Sequence, residues 1–526
     1  MAPDAHPDTL IKLSRNGKDN VALMSTETEL KLALAPDAIR ALRRHPQVMA
    51  AEKLGNAQTL VNTYYDTPEL ALHKARIAVR TRKQGKAWLQ TIKCAASSVG
   101  GLSSRPEWEH PFLGEFDFSP IDVPALRQRL EAMADQIQPV FTTTFKRETR
   151  RLTPAPEVEI LMMIDQGRIE AGAASEAICE VELELVRGTA QDLFALAGTL
   201  AERAPLIPSD RSKAERGYRL FLGQPDTPRP AGKSVIDAGQ SPLDAFRALA
   251  FDALQQWQHN TLGALAHDEP EYVHQMRIAL RRLRCMLRLF RPALPEAFVD
   301  RWSEVLRDTA ADLGNTRDID VMLADILAPA EPEPLMAAGL LDALREHASG
   351  VRDAARASAR ERLTHADHGQ RLLAFTAELH CLDGNALNAA ADLTAFARLQ
   401  LSALRKRARK RFANADILDP EHLHQLRVSL KQLRYGLEFF RPLFDGKPIK
   451  HYLSALRQAQ TDLGYLNDAA IARTRMLDWA DVQPDLGGPA HFVIGWHARQ
   501  YARTRRRALL EIDTLLSGKT PWRASR

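Results

Sequence analysis

The chain has 526 residues, too many for a single core and, at ordinary domain sizes, enough for about three or four domains. Its 45% hydrophobic and 26% charged content is that of a globular protein and excludes a disordered or fibrous one. A net charge of +5 and a pI near 9.0 are mild for this length, so polyanion binding must come from local clusters of arginine and lysine rather than from bulk charge.

Cys94, Cys179, Cys285 and Cys381 are far apart and form no CxxC pair, so neither a zinc site nor a disulfide framework is indicated, and a reducing cytoplasm is the expected location. Residues 1–20 lack an apolar signal core and read as a short disordered leader. No apolar run reaches membrane-spanning length, so no membrane association is expected.

From Val21 to about Leu222 the pattern is strands with interspersed helices. In Thr26–Leu32 (TETELKL) successive side chains of a strand would place Glu27, Glu29 and Lys31 on one face and Thr28, Leu30 and Leu32 on the other. Two carboxylates and an ammonium at that spacing could hold a hard cation beside a polyanion, and they also suit a solvated strand face. A helix is expected over 32–54, starting near Pro36 and Asp37. Short β-rich runs follow at 60–66, 77–82, 87–93 and 107–112, then at 141–152, 157–164, 167–171 and 177–187, with helices near 124–134 and 190–203. Charge alternates with apolar residues in many of these strands: Arg80 with Arg82, Glu107 and Glu109 with Arg105, Glu157 with Glu159, and Glu180, Glu182 and Glu184 between Val181, Leu183 and Leu185. On an open sheet this means polar outside and apolar inside. If the sheet closes, the charged faces line a tunnel, with carboxylates on one wall and Arg and Lys on the other.

Eight ordered motifs carry a family resemblance. Glu27/Glu29/Lys31, Tyr64-Tyr65-Asp66-Thr67, Arg80-Thr81-Arg82, Thr91-Ile92-Lys93, Arg105 to Glu109, the Asp165-Gln-Gly run, Glu180 to Glu184, and Ser212-Lys213 to Tyr218 together resemble the CYTH, or triphosphate tunnel metalloenzyme, family over about residues 21–222. The resemblance implies an eight-stranded antiparallel tunnel that binds triphosphates with a divalent metal, Mg²⁺ or Mn²⁺. By it, Lys31, Arg80, Arg82, Lys93, Arg105, Arg147, Lys213 and Arg216 would serve the phosphates. Metal ligands would come from Glu27, Glu29, Asp165, Glu180, Glu182 and Glu184, with catalysis centred on Glu27, Glu29, Lys31, Arg80, Arg82 and Lys93. Water-excluded Arg and Lys can neutralise a triphosphate and orient its terminal phosphoryl, while the metal lowers the pKa of the attacking water.

Residues 223–242 carry four prolines and three glycines and read as a flexible linker. Beyond Ser241 the chain turns Ala-, Leu- and Arg-rich with helical spacing, and it is duplicated. VHQMRIALRRLRCMLRLFRP (Val273–Pro292) returns as LHQLRVSLKQLRYGLEFFRP (Leu423–Pro442) at an offset of 150 residues, which also relates Leu313-Gly314 to Leu463-Gly464 and Asp318 to Asp468. Two bundles of about four helices are expected, over about 243–385 and 386–515, with 516–526 as a tail. Val273, Met276, Leu280, Leu283, Leu287 and Phe290 make the core stripe of the first repeat helix. His274, Arg277, Arg281, Arg284 and Arg288 follow one position later, and His424, Arg427, Lys431 and Arg434 repeat the row. The HxxRxxx[RK]xxR pattern, read twice, resembles the CHAD family over about 241–515 and implies a basic surface that binds inorganic polyphosphate. The second copy departs from the first at Gln432 and Glu438, and the run Arg405–Arg411 either compensates or is a solvated helix face.

The sequence thus reads as a multidomain α+β protein, a closed β-tunnel followed by an all-α duplicated half. The expected function is a cytoplasmic, metal-dependent inorganic triphosphatase that splits tripolyphosphate into diphosphate and phosphate and is tethered to a polyphosphate binder, with association to polyphosphate granules. The alternatives are a non-catalytic granule-binding protein, and a triphosphatase or cyclase acting on an organic triphosphate. Nucleic acid is the least favoured partner, because few aromatics interleave with the arginine rows.

Overall fold

The computed structural model describes residues 25–94, 98–330, 338–382, 392–416, 418–444 and 446–522; the expected leader over 1–20 lies outside them. The first strand, β1 (Ser25–Ala33), is buried on both faces: Leu30 and Leu32 enter an apolar core, and Glu29 and Lys31 are 2% and 5% exposed on the other side. The helix expected over 32–54 is two short ones, α1 (Ala38–Arg43) and α2 (Pro46–Ala50). They divide at His45, held extended before Pro46, as a residue preceding proline is biased to be.

There follow β2 (Glu52–Lys53), β3 (Gln58–Asp66), α3 (Ala71–Lys74), β4 (Ile77–Gln84), β5 (Ala87–Cys94), β6 (Ser98–Val99) and β7 (Leu102–Pro111). Then come α4 (Pro124–Glu131), β8 (Gln138–Ala155), β9 (Val158–Ala171), β10 (Ala174–Arg187), α5 (Ala190–Ala201), β11 (Ile207–Pro208) and α6 (Lys213–Phe221). Eight strands close antiparallel in the order β1-β10-β9-β8-β3-β4-β5-β7, and β7 pairs back onto β1. The register sets Glu29 opposite Glu184, Lys31 opposite Glu182 and Glu27 opposite Arg105. Directly opposed residues share a face, so the charged sets of three strands converge inside the ring. The two strands expected at 157–164 and 167–171 are one, β9. Gly167 continues the pairing because a Cβ there would stand 2.1 Å from the Thr144 carbonyl oxygen, so only glycine allows the two backbones to approach.

The helical half comprises α7 (Pro242–Ala266), α8 (Pro270–Phe290), α9 (Glu296–Asp312), α10 (Gly314–Val321), α11 (Asp342–Thr364), α12 (Ala366–His380), α13 (Leu393–Ala413), α14 (Pro420–Phe439), α15 (Lys447–Val482) and α16 (Gly487–Ser517). The duplication is imperfect: the chain breaks between α9 and α10 at Leu313, whereas Leu463-Gly464 lie inside the continuous α15. The repeats pack on one another through a shared core, with the Phe290 ring 5.5 Å from Phe396 and 5.4 Å from Phe440. Leu516 and Trp522, assigned from sequence to a tail, are buried in that core.

The connection between the halves is packed rather than flexible. Its proline and glycine content keeps 223–241 out of helix and strand, yet the Arg229 amide donates to Asn260 Oδ1 (3.0 Å) and Asn260 Nδ2 donates back to the Arg229 carbonyl (2.9 Å). Ser234 Oγ donates to the Phe439 carbonyl, and Ile236 is buried. The halves also meet directly. Leu373 of α12 joins the apolar core outside the tunnel, His380 stacks on Phe194 at 5.5 Å, and Gln255 Nε2 donates to the Ser98 carbonyl at 2.7 Å.

Candidate functional site: a charged tunnel and a basic helical surface

The interior of the ring is a cavity of about 910 Å³. Lys31, Arg80, Arg82, Lys93, Arg105, Arg147 and Lys213 all line it, together with Glu27, Glu29, Glu182 and Glu184. Three residues given roles from sequence do not line it. Asp165 and Glu180 lie behind Lys213, and Arg216 is engaged by Glu176 and Glu180. Glu107 and Glu109, on the strand face they share with Arg105, line it as well.

Acids and bases are interleaved rather than segregated on opposite walls, because a buried charge needs a partner within hydrogen-bond reach. On one side Lys213 Nζ donates to Asp165 Oδ2 (2.7 Å), to Glu182 Oε1 (3.0 Å) and to Glu180. Arg147 holds Asp165 with Nε and Nη2 (2.7 and 2.6 Å) and Glu182 with Nη2 (2.5 Å). Burial works against the charged form of Lys213, but the three carboxylates outweigh it and hold the ammonium well above its usual range. Burial likewise opposes ionisation of Glu182, and Lys213, Arg147 and Lys31 overcome it, keeping the carboxyl well below its usual range. Asp165, Glu180 and Glu182 present ligand atoms within 4.8 Å of one another, and the Lys213 ammonium stands where a cation would.

On the other side Lys93 Nζ is 2.7 Å from both Glu27 and Glu107, and Arg105 Nη2 donates to Glu29 Oε1 at 2.6 Å. Lys31 joins the two sides, 3.8 Å from Glu29 and 3.7 Å from Glu182. Glu184 has no comparable partner: burial and then the charge of Glu27 push it up to about 7, with Glu107 and Glu29 adding to the effect. This side of the tunnel therefore brings four carboxyl groups, those of Glu27, Glu29, Glu107 and Glu184, together on the cavity face. Arg82 is in the opposite situation, pushed down to about 10 by burial and by Arg80.

The helix that delivers Lys213 starts at Ser212, whose Oγ accepts from the Glu215 amide while Glu215 Oε2 accepts from the Ser212 amide. Its far side is tied down by Asp66 of the YYDT motif. This carboxylate, fully buried, accepts from the Thr67, Leu72 and His73 amides and from the Tyr218 hydroxyl (2.8 Å).

On the helical half the two basic rows lie side by side on α8 and α14. Arg277 Nη1 donates to the Leu313 and Gly314 carbonyls (2.9 and 2.6 Å). His424 Nδ1 lies 2.6 Å from Asn467 Oδ1. Burial and then Arg281, with Arg427 and Arg434, push Lys431 down to about 6, and burial and Arg317 push His274 down to about 4. Arg317, outside both sequence motifs, thus belongs to the same surface. Nε of Arg281, Arg427 and Arg434 and Nδ1 of His274 are buried without a hydrogen-bond partner. Arg284 is held below its usual value by burial and then by Arg288. In the run Arg405–Arg411, Arg405 caps the end of α16 through the Leu516 and Gly518 carbonyls, while Arg407 and Arg411 reach Gln432 and Gln425 of α14.

Among the described residues no helix is long and apolar enough to cross a membrane. Residues 25–218 match the CYTH domain and residues 248–477 the CHAD domain. An inorganic triphosphatase of Haemophilus influenzae is 35% identical over 200 residues, 38% of this chain and 56% of that protein, so the chain spans about half the length of this relative. Among solved structures, the CHAD domain from the plant Ricinus communis is 30% identical and covers 56% of this chain and 98% of that one at a TM-score of 0.45. HpAC1 of Hippeastrum, described with a dominant triphosphatase activity, is 18% identical and covers 38% and 97% at a TM-score of 0.29. By the two family matches, the closed β-tunnel over 25–218 is a CYTH domain and the helical half over 248–477 is a CHAD domain.

Proposed function

We propose that the tunnel hydrolyses inorganic triphosphate to diphosphate and phosphate with Mg²⁺ or Mn²⁺, and that the helical half holds long-chain polyphosphate. The observation that carries the first part is the convergence of Lys31, Arg80, Arg82, Lys93, Arg105, Arg147 and Lys213 on one cavity that the strand glutamates Glu27, Glu29, Glu107, Glu109, Glu182 and Glu184 also line. So many cations are suited to a ligand with several negative charges in a row, and the inorganic triphosphatase relative supports that choice.

The residues present fit a divalent cation. Glu27, Glu29, Glu107 and Glu184 offer hard oxygen donors together on the cavity face. When bound, the ion supplies Lewis acidity and an activated water. The chain's own groups do the rest: Arg80, Arg82, Arg105 and Arg147 bind and orient the phosphates, and Lys31 and Lys93 neutralise charge that develops on the transferring phosphoryl. Sheltering by the ring strengthens each of these interactions.

The second part rests on the unpartnered guanidinium nitrogens and the depressed Lys431 on α8 and α14, which mark cationic groups crowded together without enough anions. Granule association in the cytoplasm would follow from such binding. The test is phosphate release from tripolyphosphate, ATP, thiamine triphosphate and long-chain polyphosphate, with Mg²⁺ and with a chelator. Tripolyphosphate should lead, and equal release with chelator present would refute the proposal.

A further inference from the structure

The tunnel cavity is not built by the tunnel half alone. Four residues of α7 line it, Gln255, Gln258, His259 and Leu262, and their spacing places them on one face of that helix. Arg229 of the connecting segment lines it beside them.

This face is held firmly against the ring. Gln255 donates to the Ser98 carbonyl of β6, and Arg229 and Asn260 exchange two backbone-directed hydrogen bonds. Arg211, at the entry to α6, grips Asp226 with both nitrogens at 2.6 Å and lies against the His259 ring. His259 Nε2 also stands 3.0 Å from the Thr227 carbonyl oxygen.

One feature of the wall points to a ligand. Gln258 is 2% exposed and lines the cavity, and its Oε1 is buried without a hydrogen-bond partner. A buried amide left unpaired is costly, so it is expected where a ligand or its water completes the bonding. His259, kept neutral at about 4 by burial and by Arg211, adds no charge. Gln258 and His259 are thus an uncharged polar patch in this wall, with Arg211 and Arg229 beside them.

Resting on the reading of the tunnel as a triphosphate site, we propose that Gln258 and His259 are specificity-determining residues supplied by the helical half. They form an end wall that meets the terminal phosphate and selects an unesterified, inorganic triphosphate over one bearing an organic group at that end. A bare phosphate is compact and can bond to the Gln258 amide, whose N–H₂ donates and whose oxygen accepts. An ester substituent on the same phosphate would have to displace α7, which the contacts with Ser98, Thr227 and Arg229 resist. One side of substrate discrimination therefore lies in a different domain from the chemistry.

The experiment uses the full chain with Gln258→Ala plus His259→Ala, and separately the near-isosteric Gln258→Glu. Affinities for tripolyphosphate and ATP are measured by calorimetry with chelator present, independently of turnover, and kcat/KM for both with Mg²⁺. Opening the wall should raise the ATP-to-tripolyphosphate ratio about tenfold or more in both measurements. Gln258→Glu, which sets a carboxylate against the polyanion, should weaken tripolyphosphate binding by about tenfold. A ratio unchanged in the double variant, with Gln258→Glu binding normally, overturns the wall and leaves the tunnel assignment standing. Failure of the unaltered chain to bind tripolyphosphate overturns both.

Discussion

Arg277 and Arg427, 150 positions apart, hold the same posture: Arg277 Nη2 is 3.8 Å from Asp318 Oδ1, and Arg427 Nη2 is 3.9 Å from Asp468 Oδ1. Each guanidinium also lies against a glycine of its own repeat, Gly314 and Gly464. The duplication has preserved a cation and the distant carboxylate that orients it without neutralising it. Changing both arginines to glutamate should abolish retention on immobilised polyphosphate and leave tripolyphosphate hydrolysis within about twofold, since neither lines the tunnel. The alanine pair should lower the salt slope of binding by about 2. Equal loss of retention and hydrolysis would show that the two halves do not divide the work in this way.

Lys431 supplies a pH signature. Its folded pKa, about 6, lies below the usual lysine value because of burial and then Arg281, so between pH 6 and the unfolded value the unfolded chain binds more protons. Stability from this group therefore rises as pH climbs through that window, and Lys431→Met should raise the melting temperature most at pH 6 and below, where the charged form is held at full penalty. Polyphosphate favours the charged form, so binding at pH 7.5 should take up close to one proton. Calorimetry in buffers of different ionisation enthalpy measures the uptake, and Lys431→Met should remove it.

Glu29→Gln keeps volume and removes charge from a residue paired with Arg105. Tripolyphosphate turnover should fall by about 10²-fold or more, with the melting transition in chelator little changed. Mg²⁺ or Mn²⁺ should restore activity to chelated protein, and Ca²⁺ should not, being larger and tolerant of irregular coordination. Arg82→Ala and Lys93→Ala should instead raise KM and lower kcat while sparing metal affinity. Normal turnover by Glu29→Gln would remove that carboxylate from the machinery.

The contact between the halves can be tested at Gly369, where a Cβ would stand 2.1 Å from the Leu206 carbonyl oxygen. Backbone cannot yield as a side-chain tip can, so Gly369→Val should destabilise by about 1–3 kcal/mol and loosen α12 from the tunnel half. Thermal unfolding should shift, and limited proteolysis should open the segment 223–241.

The strand parity of the tunnel was legible in the sequence because period-two alternation survives closure: Glu27, Glu29 and Lys31 face inward with Arg80, Arg82 and Glu182 as their spacing requires. The duplication and its register were legible for a similar reason. Depth was not. Asp165 alternates like its neighbours, yet lies beneath Lys213 instead of at the cavity, a consequence of where α6 crosses the ring. Arg216 shares a helix with Lys213 but points to Glu176. Gln258 and His259 carried no motif at all, since their place depends on two halves packing together, which no local pattern encodes.

The ring also imposes an order on synthesis. β1 is held between β7 and β10, with Glu29 opposite Glu184, and Asp66 completes its bonding only when Tyr218 arrives 152 positions later. A nascent chain emerging at about 5–20 residues per second must therefore keep β1 unpaired on one edge until nearly all of the N-terminal half has been made. Its inward face, rich in charge, discourages chance pairing with other strands during that wait. The residues suited to gripping phosphate thus also act as gatekeepers against aggregation on the ribosome.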